Sequence, residues 1–198
     1  MNTTRYVVAL VALVTYPAAL LFWFLIHPFA RRWRQIGAAW TYTITLSVIT
    51  GVGALMYAWR GPPLSVEYGW SERRAGVAIV LLAIGLTIEA LCRRSLSARI
   101  LIGLPELLAD RRGDRLLQEG IYARIRHPRY VGAAFGIVAV ALFANYLATY
   151  LLAVVFFPVI YLITVLEERE LVDRFGEAYR TYQRRVPRFI PRLRVRAL

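Results

Sequence analysis

The sequence predicts an all-α integral membrane protein of about five transmembrane helices, the last two forming a hairpin, followed by an amphipathic tail. Three observations carry that prediction. Hydrophobic residues make up 59% of the chain and the mean hydropathy is +0.51, too apolar for an ordinary soluble domain. The apolar residues fall into stretches long enough to cross a bilayer. Arginines crowd every second connection between those stretches, as the positive-inside rule requires.

Composition narrows the partners. The formal charge is +13, from 25 basic residues against 12 acidic ones, and every basic residue is arginine. Without lysine there is no amine nucleophile and no Schiff base. The arginines flank apolar segments, so the expected partners are anionic membrane lipids rather than nucleic acid, and no protein partner is required. Cys92 is the only cysteine, which excludes an internal disulfide and any cysteine-based metal cluster. No metal site is expected.

The expected spans run over 6–29, 36–59, 75–92, 130–143 and 147–166, in a single domain covering 1–198. The first carries no full charge, is too long for a signal peptide, and should kink at Pro17; Arg31, Arg32 and Arg34 form the loop after it. Gly51 and Gly53 in the second span read as a place of close helix packing. Gly61-Pro62-Pro63 ends that span. In the third span Glu89 sits one turn before Arg93, a favourable ion-pair order, and an ionisable residue there is either functional or an interfacial pair. Cys92 reads as a small apolar filler. The long polar connection after it has short leucine-rich pieces suited to lying on the membrane.

The fourth and fifth spans are separated only by 144–146, hence an antiparallel hairpin, and Pro158 should bend the second. In the tail, Val172, Phe175, Tyr179, Tyr182 and Val186 recur every three or four residues, the pattern of one amphipathic helix with an arginine-rich outer face. Basic connections alternate with neutral ones in a way that puts the C-terminus in the cytoplasm and the N-terminus outside a cell membrane.

The chain is organised around His127-Pro128. Proline at the first position of a helix gives up an amide that would have no partner, so Pro128 starts a helix; His127 is pushed into extended backbone. The new helix points its free amides back at Arg124, Arg126 and Arg129, a cradle for an anion. The hairpin returns Glu167 and Glu168 to the same end, facing His127 and Tyr130. Anion-binding groups beside carboxylates suit a zwitterionic cofactor that carries positive charge better than a simple phosphate. Taken singly, each feature is usually structural: a His-Pro such as His27-Pro28 is only a helix start, paired glutamates meet arginines, and tail tyrosines anchor at an interface. Their conjunction is what points to a site.

Three blocks stand in order: E-G-I-Y-x-x-I-R-H-P-x-Y-x-G, then E-E-x-x-L, then F-G-x-x-Y-x-x-Y-x-x-x-V-P-R-F-I-P. Together they resemble the isoprenylcysteine carboxyl methyltransferase family and, more broadly, the membrane methyltransferases that include phospholipid N-methyltransferases. The resemblance covers about 116–191. It implies a helical membrane enzyme using S-adenosylmethionine, bound between the last helices and the tail, and acting on a lipophilic small-molecule or lipid-anchored substrate. Gly120, Tyr122, Arg126, His127, Pro128 and Tyr130 match the first block, Glu167 and Glu168 the second, and Tyr179, Tyr182, Arg188 and Phe189 the third. Within that frame Arg126 and His127 are expected at the cofactor's carboxylate end, and Glu167 or Glu168 at its hydroxyls or ammonium. Tyr122, Tyr130 and Phe189 are expected on its adenine or sulfonium. Glu167, Glu168 and His127 are the candidate catalytic groups, any of which would take the proton of an amine acceptor. The stretch 95–115 has no counterpart in these blocks. Two other readings stay open: a membrane oxidoreductase similar to sterol reductases, and a membrane scaffold without catalysis.

Overall fold

The computed structural model describes residues 3–95 and 116–192. Six α-helices are present there: α1 (Thr3–Ile36), α2 (Ala38–Ala58), α3 (Glu72–Arg93), α4 (Pro128–Ala144), α5 (Leu147–Phe175) and α6 (Glu177–Arg185). A short 3-10 turn over Gly120–Ala123 precedes α4. Four of them, α1, α2, α3 and α5, are long and apolar enough to cross a membrane; α4, at 17 residues, is shorter. The chain is an all-α membrane protein, as the hydropathy requires.

The helix ends depart from expectation in three places. α1 does not stop before its arginines but runs to Ile36, so Arg31, Arg32 and Arg34 extend the helix rather than form a loop. His27-Pro28 accordingly lies inside α1 and is not a helix start. Only Gly37 separates α1 from α2, and its φ of +92° makes the turn, a conformation open to glycine at little cost. α5 continues nine residues past the expected end at 166, to Phe175. Charge ends a membrane crossing but not a helix, and Glu, Arg and Leu are all good helix formers. The tail is therefore two pieces: Gly176, at φ +57°, breaks the helix and α6 turns away.

α3 begins at Glu72, capped by Ser71, whose side chain accepts a hydrogen bond from the amide of Arg74 at 3.4 Å. Pro128 is the first residue of α4, and His127 before it is non-helical (φ −121°, ψ 59°). Asn145, in the left-handed region at φ 57°, turns α4 into α5, its side chain donating to the carbonyl of Gly69 and accepting from the Tyr150 hydroxyl.

Two contacts fix the bundle. α3 lies against α4 at Gly85 and Gly132, where a Cβ on Gly85 would come within 2.8 Å of the Gly132 carbonyl oxygen. Small residues let two membrane backbones meet this closely. In α2, Gly53 is buried against Val14 of α1, while Gly51 has nothing within 4 Å; one of the two glycines packs and the other does not. α1 is tied at both ends. Arg5 is fully buried at one, paired with Glu67 at 2.7 Å and bonded to the carbonyl of Ala144. Arg34 reaches Glu170 of α5 at 2.9 Å at the other. The end holding Arg34 and Glu170 also holds the site.

Candidate active site

Extended backbone at His127 leaves its amide free to pair sideways, and the tail supplies the partner. The amide of Arg126 donates to the carbonyl of Pro187 and that of His127 to the carbonyl of Arg188, at 2.9 and 3.1 Å. Residues 186–189 thus run beside 126–127. Beneath them Tyr179, Tyr182 and Val186 are buried with Leu116, Leu171, Val172 and Phe175. The tail tyrosines pack inward on their own chain rather than at a lipid interface. The Tyr182 hydroxyl donates to the carbonyl of Tyr122 at 2.6 Å, and burial pushes its own pKa up to about 12.

Glu168 sits at the centre of this layer. Its carboxylate accepts from Arg126 Nε and Nη2 (2.9 and 2.7 Å), His127 Nε2 (3.0 Å), Gln183 Nε2 (3.3 Å) and both Arg188 Nε and Nη2. Arg126 Nη1 donates to the carbonyls of Gln183 and Val186. The ion pairs join α5, the start of α4 and the tail, and Glu168 and Arg126 are both nearly inaccessible. Charges so deeply buried stay ionised because each is multiply hydrogen-bonded. Arg188 also lies over the Tyr161 ring, and its bond to Glu168 raises its pKa.

Neighbours on a helix point about 100° apart, so Glu167 faces elsewhere. It accepts from the Tyr130 hydroxyl at 2.8 Å and lies 3.5 Å from His127 Nδ1. Both nitrogens of His127 therefore meet carboxylates. Burial disfavours a charged imidazole, but the charges and hydrogen bonds of Glu167 and Glu168 outweigh it and raise the pKa of His127. The ring stacks on Tyr130 and lies against Phe189.

Glu167 opens onto a cavity of about 560 Å³, a size typical of small-molecule sites. Of the residues that the sequence singled out, Tyr122, Arg126, His127, Pro128, Tyr130, Glu167, Tyr179 and Tyr182 line it. Gly120, Glu168, Arg188 and Phe189 do not; Gly120 holds the 3-10 turn at φ +61°, and the other three brace the wall. The arginine cradle divides as well. Arg124 is exposed and outside the lining, Arg126 is occupied by Glu168, and Arg129 alone of the three remains as a cavity cation. Of the three arginines expected to form the anion cradle, Arg129 is therefore the one placed to meet an anion in the cavity.

Other lining residues come from helices that the motifs do not reach. Glu89 and Arg93 of α3 pair at 3.1 Å at the polar end, with Arg129 Nε 3.8 Å from Glu89. Of the two readings open for Glu89, the pair with Arg93 is present and it borders the cavity. The Tyr179 hydroxyl is buried with no hydrogen-bond partner among the described residues, and burial pushes its pKa up, as it does that of Tyr122. Away from the charges the cavity continues between α1, α3, α4 and α5 as an apolar arm. The stretch 96–115, nearly all of the segment without a counterpart in the motif blocks, lies outside the described residues.

A family model described as phospholipid methyltransferase matches residues 73–178, just over half of the chain. That range holds both carboxylates and the His127 block but ends before Tyr179, Tyr182 and Arg188. The chain is 40% identical over 87 residues to the protein-S-isoprenylcysteine O-methyltransferase of Schizosaccharomyces pombe, covering 42% of this chain and 36% of that protein. It is 26% identical over 174 residues to the methanethiol S-methyltransferase of Pseudomonas deceptionensis, covering 84% of this chain and 65% of that protein. In both cases the match spans less than two thirds of the relative. No solved structure matches.

Proposed function

The chain belongs to the phospholipid methyltransferase family, and from that premise we propose that it transfers a methyl group from S-adenosylmethionine to a lipophilic acceptor, a carboxylate, thiol or amine, at the membrane face that carries the site. The observation that carries this reading is one cavity whose polar end is lined by both Glu167 and Arg129 and whose other end is an apolar arm among membrane helices.

The donor set fits such a cofactor. Glu167 and Glu89 offer negative charge to a sulfonium or ammonium, and Arg129 offers positive charge to a carboxylate. The Tyr179 hydroxyl, without a hydrogen-bond partner among the described residues, and the ring of Tyr122 give a purine or ribose a polar contact and an aromatic face. S-adenosylmethionine, when bound, supplies a methyl group already activated on a positively charged sulfur. The chain's own task is then alignment and exclusion of water, and holding two groups in line accounts for much of a bimolecular rate. Tyr130 and His127 fix the Glu167 carboxylate from two sides. A carboxylate or thiolate acceptor asks for no base. For an amine acceptor Glu167 takes the proton: it borders the cavity, Glu168 is enclosed by cations, and both ring nitrogens of His127 already face carboxylates. Glu168 is a positioning residue.

Binding of S-adenosylhomocysteine to the detergent-purified full chain, followed by calorimetry, tests the reading. We expect saturable binding that weakens at least tenfold in Glu167→Ala while the thermal midpoint stays within a few degrees of wild type. Absence of binding by demonstrably folded protein would overturn the proposal, and binding of a reduced nicotinamide cofactor instead would favour the oxidoreductase reading.

A further inference from the structure

The apolar arm has a floor. Its lining residues on four helices fall in the same order of depth from the charged end. On α5 the lining passes from Glu167 to Ile160 and Phe156, on α4 from Tyr130 to Gly136, on α3 from Glu89 to Leu82, and on α1 from Trp23 to Tyr16. Eleven residues separate Glu167 from Phe156, about 16 Å of helix axis, or roughly half the hydrocarbon core of a bilayer. Tyr16, Gly136 and Phe156 are the lining residues farthest from the charged end on α1, α4 and α5. A Cβ on Gly136 would sit 3.8 Å from the Tyr16 hydroxyl, in ordinary contact, so the glycine leaves room that any larger side chain would occupy. Phe156 is buried, and Tyr16 packs on the same core cluster.

We propose that Tyr16, Gly136 and Phe156 form a gauge that sets how long an apolar chain the acceptor carries beside the charged end of the cavity. This rests on the functional reading above and deepens it, naming the acceptor class as one with a single linear chain laid along the arm. The arm is continuous with the site, so a chain in it delivers its head to Glu167. Among the described residues α1 and α3 share no packed interface, and Ala19, Leu82 and Leu86 line the arm while remaining exposed, so the chain enters sideways from lipid between these helices. Sideways entry fixes no length; the floor does.

The probe for the test is a series of N-acetyl-S-alkylcysteines of increasing chain length, each ending in a photoactivatable diazirine, added to the full chain in lipid nanodiscs. After illumination, the labelled residues are mapped by mass spectrometry. In wild type, one intermediate length should label Tyr16 or Phe156 saturably, with unlabelled probe competing. Gly136→Leu should move floor labelling to shorter chains, and Tyr16→Ala to longer ones; Tyr16→Phe, which removes only the hydroxyl, should shift it far less than Tyr16→Ala. Labelling at every length on the outer residues Leu55, Val80 and Val154 alone, or a preferred length identical in all variants, would overturn the gauge. Binding of S-adenosylhomocysteine on the same preparations reports the polar end separately. Its absence with floor labelling intact would sink the methyl-transfer reading and leave the gauge standing, while its presence without floor labelling would do the reverse.

Discussion

Two adjacent glutamates do different work, and the difference is a matter of which way each points. Glu168 turns into the protein and gathers Arg126, His127, Gln183 and Arg188; Glu167 turns to the cavity with Tyr130 as its support. His127 between them gives a pH prediction with a definite sign. Its folded pKa is raised above the ordinary value near 6.5, so its contribution to stability is complete below about pH 6.5 and is lost as the pH rises through the raised value. Thermal midpoints of the detergent-solubilised protein should therefore decline above neutrality, and His127→Gln should flatten that decline. A wild-type midpoint that climbs over the same range would contradict the assignment. The sequence named both glutamates and the histidine correctly as partners, because the hairpin had to return them to one end. It did not separate their roles, since hydrogen-bond direction depends on a rotation that neighbouring residue types do not encode.

Among the elements, the crossing of α3 and α4 is the least forgiving. Gly85→Val would push a side chain into the Gly132 carbonyl, which backbone cannot yield, at a cost of about 1–3 kcal/mol. Gly51→Val, facing open space on α2, should be close to neutral. Unfolding midpoints of the two variants check this; equal loss in both would mean that the α3–α4 approach is not close. Hydropathy located all five apolar segments and the hairpin. It misjudged the ends of α1 and α5 because the bilayer selects apolar residues while helix geometry does not, and Arg31–Gln35-type and Glu-Arg-Glu runs continue a helix into water. It also read one amphipathic tail helix where Gly176 makes two.

For the whole molecule, the ion pairs sort the ends. Arg5, Glu67 and the Asn145 turn share one face; Arg34, Glu170 and the site share the other. The described arginines are concentrated on the second face, and from the positive-inside rule we propose that this face, with the C-terminus, is cytoplasmic. In a Cys92→Ala background, a membrane-impermeant maleimide should label Ser65→Cys on intact cells and Arg180→Cys only after permeabilisation. The opposite pattern would invert the topology.

What the sequence determined by itself was the class of protein, the count and order of its apolar segments, the break at His127-Pro128 and the identity of the chemical groups at one end. Each of those follows from local properties: transfer free energy summed along a stretch, the fixed φ of proline, the charge of a side chain. Only the tertiary structure decided that Glu168 is enclosed while Glu167 is presented, that Arg126 is spent on Glu168 and the tail while Arg129 is not, and that α1 and α3 border an apolar arm lined by Tyr16. Those outcomes depend on how helices distant in sequence rotate and approach, and close packing, unlike hydropathy, is not additive along a chain.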